Sequence, residues 1–320
     1  MAKRYDPTEY LYASARIRSL ELRLTSREQW SRLCEMHSPD EILAAYCDKG
    51  TRSENAAEEA LRQAFDTVTE SVPDKTLCRF LQYPYDCNNV KALIKCRLRN
   101  VDADGLLIDL GSIPVKDLQA ASESELSLLL PQHMARALPQ AVEAFDKTGN
   151  PREIDFILDK AVFADMREAA EPFPFAAELV AARADLTDLL ICCRLLRMQN
   201  HELCRALLDR AAICCGRFDR EKLLSLFDGG EDALPRGISD TPYAKIFDTG
   251  LSLSELEKRA DDYIADLVRR ARAVTFGVEI PIAYLMAIEN ESKNLRILLA
   301  GKRAGWDSAT VKARMRGHYV

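Results

Sequence analysis

The chain has 320 residues, 48% hydrophobic and 29% charged, with a net charge of −6. That balance suits a globular protein with one large core or two to three domains, and argues against disorder. No apolar run approaches the roughly 18 to 20 residues of a bilayer crossing. The first residues, Met1-Ala2-Lys3-Arg4-Tyr5-Asp6, lack the apolar stretch of a signal peptide, so the expectation is a cytoplasmic protein with no membrane span of its own.

Taken in order, the chain reads as helix after helix. Leu11, Ile17, Leu20 and Leu24 offer an early apolar set at helical spacing. Thr25-Ser26-Arg27-Glu28 has the composition of a capping box, and Ser38-Pro39-Asp40-Glu41 places Pro at a first helical position. Ala56, Ala60, Leu61, Ala64, Phe65 and Val68 form a clean stripe of period about 3.6. Pro84 is expected to interrupt the chain before the next helix. Asp102 to Pro114 is the weakest helical stretch, with turn signals at Asp104-Gly105 and Gly111 and a short extended piece expected at Leu106-Leu107-Ile108.

A helix is expected from Ser122, another after Gly149-Asn150-Pro151, and a further one capped by Asn200. Asp228 to Asp248, holding Gly229, Gly230, Pro235, Gly237 and Pro242, reads as a loop with one short helix. Ser252 or Ser254 then caps a long helix, and Pro281 opens the last pair. No convincing alternation of period two occurs, so the fold class is all-α.

One pattern recurs three times. An acid is followed three positions later by Asn or Asp and then an aliphatic: Asp86-Cys87-Asn88-Asn89-Val90, Asp185-Leu186-Thr187-Asp188-Leu189 and Glu291-Ser292-Lys293-Asn294-Leu295. The Asn/Asp positions are 99 and 106 residues apart, and the fourth and fifth residues after each are hydrophobic (Leu93-Ile94, Cys192-Cys193, Leu298-Leu299). Such a period implies one helical unit built three times, with boundaries expected at 1–112, 113–216 and 217–320. Residues three apart share a helical face, so each acid and its Asn/Asp meet at one patch beside the core stripe. Buried-polar and helix-start roles are the simpler reading of these positions; a partner contact is the sharper one.

Catalytic chemistry is hard to find. The four histidines, His37, His133, His201 and His318, lack patterned partners for a triad or metal site. Ten cysteines occur without a Cys-x-x-Cys hook, so they read as reduced packing residues. Ala300-Gly301-Lys302-Arg303 lacks the upstream glycine and preceding strand of a phosphate loop; Gly301 is expected to cap a helix, with Lys302 and Arg303 beside its negative end. Neither cofactor nor metal is expected. The tail from Ser292 onward carries Lys293, Arg296, Lys302, Arg303, Lys312, Arg314 and Arg316 against Asp307 alone, which makes this end electrostatically distinct. An overall negative charge argues against a nucleic-acid partner.

The segment Val278-Glu279-Ile280-Pro281 through Glu289-Asn290-Glu291-Ser292-Lys293-Asn294-Leu295-Arg296 to Gly301-Lys302 resembles the closing signature of the C-subunit family of V/A-type rotary ATPases, which includes the d subunit of the eukaryotic enzyme. Tyr12-Ala13-Ser14-Ala15-Arg16-Ile17-Arg18, Asp86 to Lys91, and Asn150-Pro151-Arg152-Glu153-Ile154-Asp155 are similar too. The second copy departs by having Asp188 where the family usually shows Asn, and Cys192 and Cys193 where it shows larger aliphatics. The resemblance implies three similar helical-bundle domains of about 100 residues in a pseudo-threefold funnel. It also implies a non-catalytic subunit on the cytoplasmic side of the membrane, between shaft subunits D and F and the proteolipid ring, with no direct nucleotide contact. Candidate contact or structural polar positions are Glu289, Glu291, Asn294, Arg296, Lys302 and Arg303. A generic helical interaction scaffold is the alternative.

Overall fold

The computed structural model describes residues 5–46 and 56–320. It is 71% helical, with no strand among the described residues. The helices divide between two compact units, Met1–Cys78 with Glu257–Val320, and Arg79–Leu256.

The first unit begins with α1 (Leu11–Glu21), α2 (Arg27–Glu35), α3 (Pro39–Tyr46) and α4 (Ala56–Ser71). The second holds α5 (Arg79–Leu98), α6 (Val115–Ala120), α7 (Glu123–Leu129), α8 (Gln132–Thr148), α9 (Arg152–Ala170), α10 (Pro174–Leu196), α11 (His201–Ala211), α12 (Arg220–Asp228) and α13 (Leu234–Gly237). Most of α14 (Leu253–Arg269), with α15 (Glu279–Arg303) and α16 (Ser308–Arg314), completes the first unit.

Helix starts follow local chemistry. Capping boxes form at Ser26/Gln29 and Ser122/Glu125, and Ser252 and Glu255 make the same reciprocal bonds before α14. Each satisfies N–H groups that the first helical turn leaves open. Gly149, at φ +65°, closes α8 in the left-handed conformation.

Two helix ends differ from expectation. Pro84 lies inside α5. The lost backbone bond is tolerated because Phe80, Leu81 and Tyr83 are buried around it. Gly301 does not cap α15; the helix continues to Arg303, and Gly305, at φ +72°, takes the left-handed position. A Cβ on Gly301 would lie 2.8 Å from the Trp306 ring and 2.9 Å from Val311, so this glycine lets α16 and its leading turn close onto α15. Within Leu106-Leu107-Ile108, Leu106 closes a turn and the two residues after it belong to no strand.

In the first unit α15 packs on α1, α3, α4 and α16. Its core gathers Trp30, Leu33, Ile42, Leu295, Leu298, Val311 and Met315. In the second unit α9 packs against α5, α8, α10 and α11, burying Ile154, Leu158, Val162 and Met166. α10 buries residues around its whole circumference, including Leu179, Val180, Leu186 and Leu189, the pattern of a helix enclosed by neighbours.

Candidate functional site

The three recurring motifs fall on the three longest helices, α5, α10 and α15. At each, the Asn/Asp side chain is buried and holds the backbone of a segment returning later in the chain. Asn89 Nδ2 donates to the Ile108 carbonyl at 2.8 Å, and its Oδ1 accepts the Ile108 N–H at 2.9 Å. Asp188 accepts the N–H groups of Ile213 at 2.7 Å and Cys214 at 2.9 Å. Asn294 accepts the Arg316 N–H at 2.8 Å and donates to the Arg316 carbonyl at 3.2 Å. A loop backbone brought against a core must have its polar groups paired; these side chains do the pairing.

The acid one turn earlier has the same task in the first two copies. Asp86 accepts from the Ser112 N–H and hydroxyl (3.0 and 2.6 Å) and the Ile113 N–H (3.1 Å). Asp185 accepts from Arg217 N–H (2.7 Å), Phe218 N–H (3.3 Å) and the Tyr243 hydroxyl (2.8 Å). In the third copy Glu291 turns elsewhere, accepting from the Thr25 N–H and, at 3.4 Å, the Tyr46 hydroxyl. Asp262 of α14 takes its place at the returning segment, accepting the Gly317 N–H at 2.7 Å.

Burial pushes the carboxyls of Asp86 and Asp185 above the usual range, against the pull of their hydrogen bonds. Asp188 is pushed up to about 6, by burial first and by Asp185 in addition, with the Ile213 and Cys214 N–H groups opposing. Removing a carboxylate from water here outweighs the donors it receives.

The predicted site residues separate into different roles. Asn294 and Glu291 hold backbone, as above. Glu289 pairs with Lys293 at 3.4 Å along α15. Arg296 pairs with Glu58 at 2.6 Å on an exposed face. Lys302 donates to the Ser308 hydroxyl at 3.3 Å, which ties the end of α15 to α16. Arg303 is exposed in the last turn of α15.

Residues that the motif does not single out complete the tail. Arg316 pairs with Asp261 at 2.6 Å, Asn290 donates to the Gly317 carbonyl at 2.5 Å, and Arg269 donates to the His318 carbonyl at 2.7 Å. Tyr319 donates to Glu21, which also receives Arg18. Gly111 and Gly216 lie outside the motif as well. A Cβ on either would overlap the carboxylate of Asp86 or Asp185. A sequence signal exists: the returning segments read Gly111-Ser112-Ile113, Gly216-Arg217-Phe218 and Gly317-His318-Tyr319, each a glycine followed two positions later by a large apolar or aromatic residue.

Among the described residues the nine cysteines are free thiols. Burial raises those of Cys78 and Cys87 to about 12, which keeps them protonated and poorly nucleophilic. His133, Asp165 and Glu168 bring ligand-type atoms within 4.8 Å of one another. Both Asp165 oxygens, however, accept the His133 and Met134 N–H groups at 2.9 Å, so that carboxylate already serves as a helix cap for α8.

A family model described as ATP synthase (C/AC39) subunit matches residues 13–314. The chain is 26% identical to the C subunit of the V-type sodium ATPase of Enterococcus hirae, covering 97% of this chain and 99% of that one. It is 24% identical to the C subunit of the A-type ATP synthase of Methanosarcina mazei, over 98% and 94% of the two chains. Identity to the corresponding A-type ATP synthase protein of Thermococcus onnurineus is 21%, over 91% and 86%.

Proposed function

The chain belongs to the ATP synthase (C/AC39) subunit family and is a rotary ATPase subunit; on that premise we propose that it is the central-stalk adapter of such a complex. In this reading it joins the shaft subunits D and F to the proteolipid ring, on the cytoplasmic side of the membrane. It transmits the torque that couples ATP synthesis or hydrolysis on other subunits to H⁺ or Na⁺ transport. The chain itself is an accessory subunit, and no helix among the described residues is long and apolar enough to cross a membrane.

The observation that carries the proposal is the family match along nearly the whole chain. The clamps support it physically. An adapter that passes torque must not let its long helices slide against their connecting segments. Close-packed interiors resist compression, and each clamp adds directional bonds at a buried point where a slip would leave polar backbone unpaired. The division into units 1–112, 113–216 and 217–320, one clamp-bearing helix in each, belongs to this proposal.

Reconstitution tests it. Purified chain, shaft subunits and membrane sector are combined, and shaft retention on the sector is measured with and without the chain. Retention only when the chain is present is the expected result. A shaft that binds the sector equally well without it defeats the adapter reading and leaves a generic scaffold.

A further inference from the structure

The first unit contains a cleft of about 590 Å³ between α2, α14 with the turn that follows it, and α16 with the tail beyond it. Its size falls in the range of small-molecule sites. Six cationic side chains line it: Arg27, Lys258, Arg269, Arg272, Lys312 and Arg316. Among the described residues no Asp or Glu side chain does. Four of the cations have acidic partners outside the lining: Lys258 with Asp262, Arg269 with Asp266, Lys312 with Glu35 and Arg316 with Asp261.

The other two are less satisfied. Among the described residues Arg272 donates to the Tyr319 carbonyl alone, at 3.2 Å, and Arg27 has no ion-pair partner. A second observation comes from His318, whose ring stacks on Trp30 at 6.1 Å. Its Nδ1 is buried and, among the described residues, has no hydrogen-bond partner. Buried nitrogens in that state are rare in folded proteins.

We propose that this cleft is a binding site for a phosphate-bearing ligand with two or more negative charges, of the pyrophosphate or phosphomonoester class. Planar guanidinium groups match phosphate oxygens in pairs. Arg27 and Arg272 both line the cleft from segments far apart in sequence, and a ligand bound by both would be held by separate parts of the unit. His318 lines the cleft beside them, and its unpaired nitrogen marks a polar group in this wall that no described residue satisfies. Burial first, then Arg27 and Arg269, lower the basicity of that histidine, with Asp262 opposing. The tail residues Arg316 to Tyr319 form one wall, and Asn294 and Asn290 tie Arg316 and Gly317 to α15. A bound anion would thus brace the same segment that the third clamp holds.

The test uses the full chain with two probes, inorganic pyrophosphate by titration calorimetry and vesicles containing phosphatidic acid by co-sedimentation, each at low and high salt. The variants are Arg27→Gln and Arg272→Gln, with Lys116→Gln, an exposed lysine of α6, as control. Circular dichroism melting verifies that each folds. The expected result is binding that weakens with salt and falls about tenfold in each arginine variant, but not in Lys116→Gln. Binding of pyrophosphate identifies a free anion as ligand; binding of vesicles alone identifies a lipid headgroup. Absence of binding in both arms, or equal affinity in all three variants, overturns the site.

Discussion

The clamps on α5 and α10 do one job with side chains that differ by a single atom, and the loops they hold differ accordingly. Asn89 offers a donor and an acceptor, so it pairs with both polar groups of Ile108 and asks nothing unusual of the loop. Asp188 can only accept. Its loop must present two successive N–H groups, from Ile213 and Cys214, to one carboxylate. Consecutive N–H groups converge when one residue turns left-handed, and Cys214 has φ +54°. A non-glycine residue there costs energy, and burial makes the carboxylate's charge costly as well. An amide is thus the less demanding clamp, whereas an acid requires a loop built around it.

The largest effects are expected where the clamps leave no room. Gly216→Ala forces a methyl group into the Asp185 carboxylate and the Ala181 carbonyl, and Gly111→Ala does the same to Asp86. Each should cost about 3 kcal/mol or more in urea denaturation. A loss under about 1 kcal/mol would show that the acid can swing aside, and that the clamp is looser than its geometry.

Next in size is the pH dependence of Asp188. Its folded value of about 6 stands above the ordinary 3.8, so between these values the folded chain binds the extra proton and the unfolded chain does not. Stability from this group is therefore fully present below about pH 4 and declines as pH rises to about 6. The total is roughly 3 kcal/mol at most. Asp86, Asp165 and Asp185 are shifted in the same direction, so the measurement is the difference between the original chain and Asp188→Asn. The variant should lose part of the slope across pH 4–6 in thermal melts. Identical slopes would remove Asp188 as the titrating group.

The converse exchange sharpens the same contrast. Asn89→Asp sets a carboxylate oxygen against the Ile108 carbonyl and should cost about 2 kcal/mol by denaturation. Asn294→Asp should cost less, because its bond to the Arg316 carbonyl is longer, 3.2 Å against 2.8 Å. Equal losses would mean that bond length does not rank these clamps. The smallest change is Arg296→Ala, which breaks an exposed pair with Glu58 and should alter melting stability by under about 1 kcal/mol. A larger stability loss would give this arginine a structural weight that its exposed pair does not explain.

Much of this protein was determined by local sequence. Apolar spacing and capping residues settle where most helices run, because both act within one or two turns. The recurring acid-x-x-Asn/Asp motif likewise marks the three clamp positions, since residues three apart must share a helical face. What those side chains grasp was decided by tertiary structure. Asn89 finds Ile108 and Asn294 finds Arg316 only once a distant segment has folded back, and no periodicity encodes that return. The exchange of Glu291 for Asp262 at the third copy has the same origin: Thr25, in the connection between α1 and α2, and Tyr46, at the end of α3, take up the glutamate. Gly301 and Pro84 misled for the same physical reason. Local rules make both of them helix breakers, but the close approach of Trp306 and Val311 in one case, and burial around α5 in the other, outweighs the local preference.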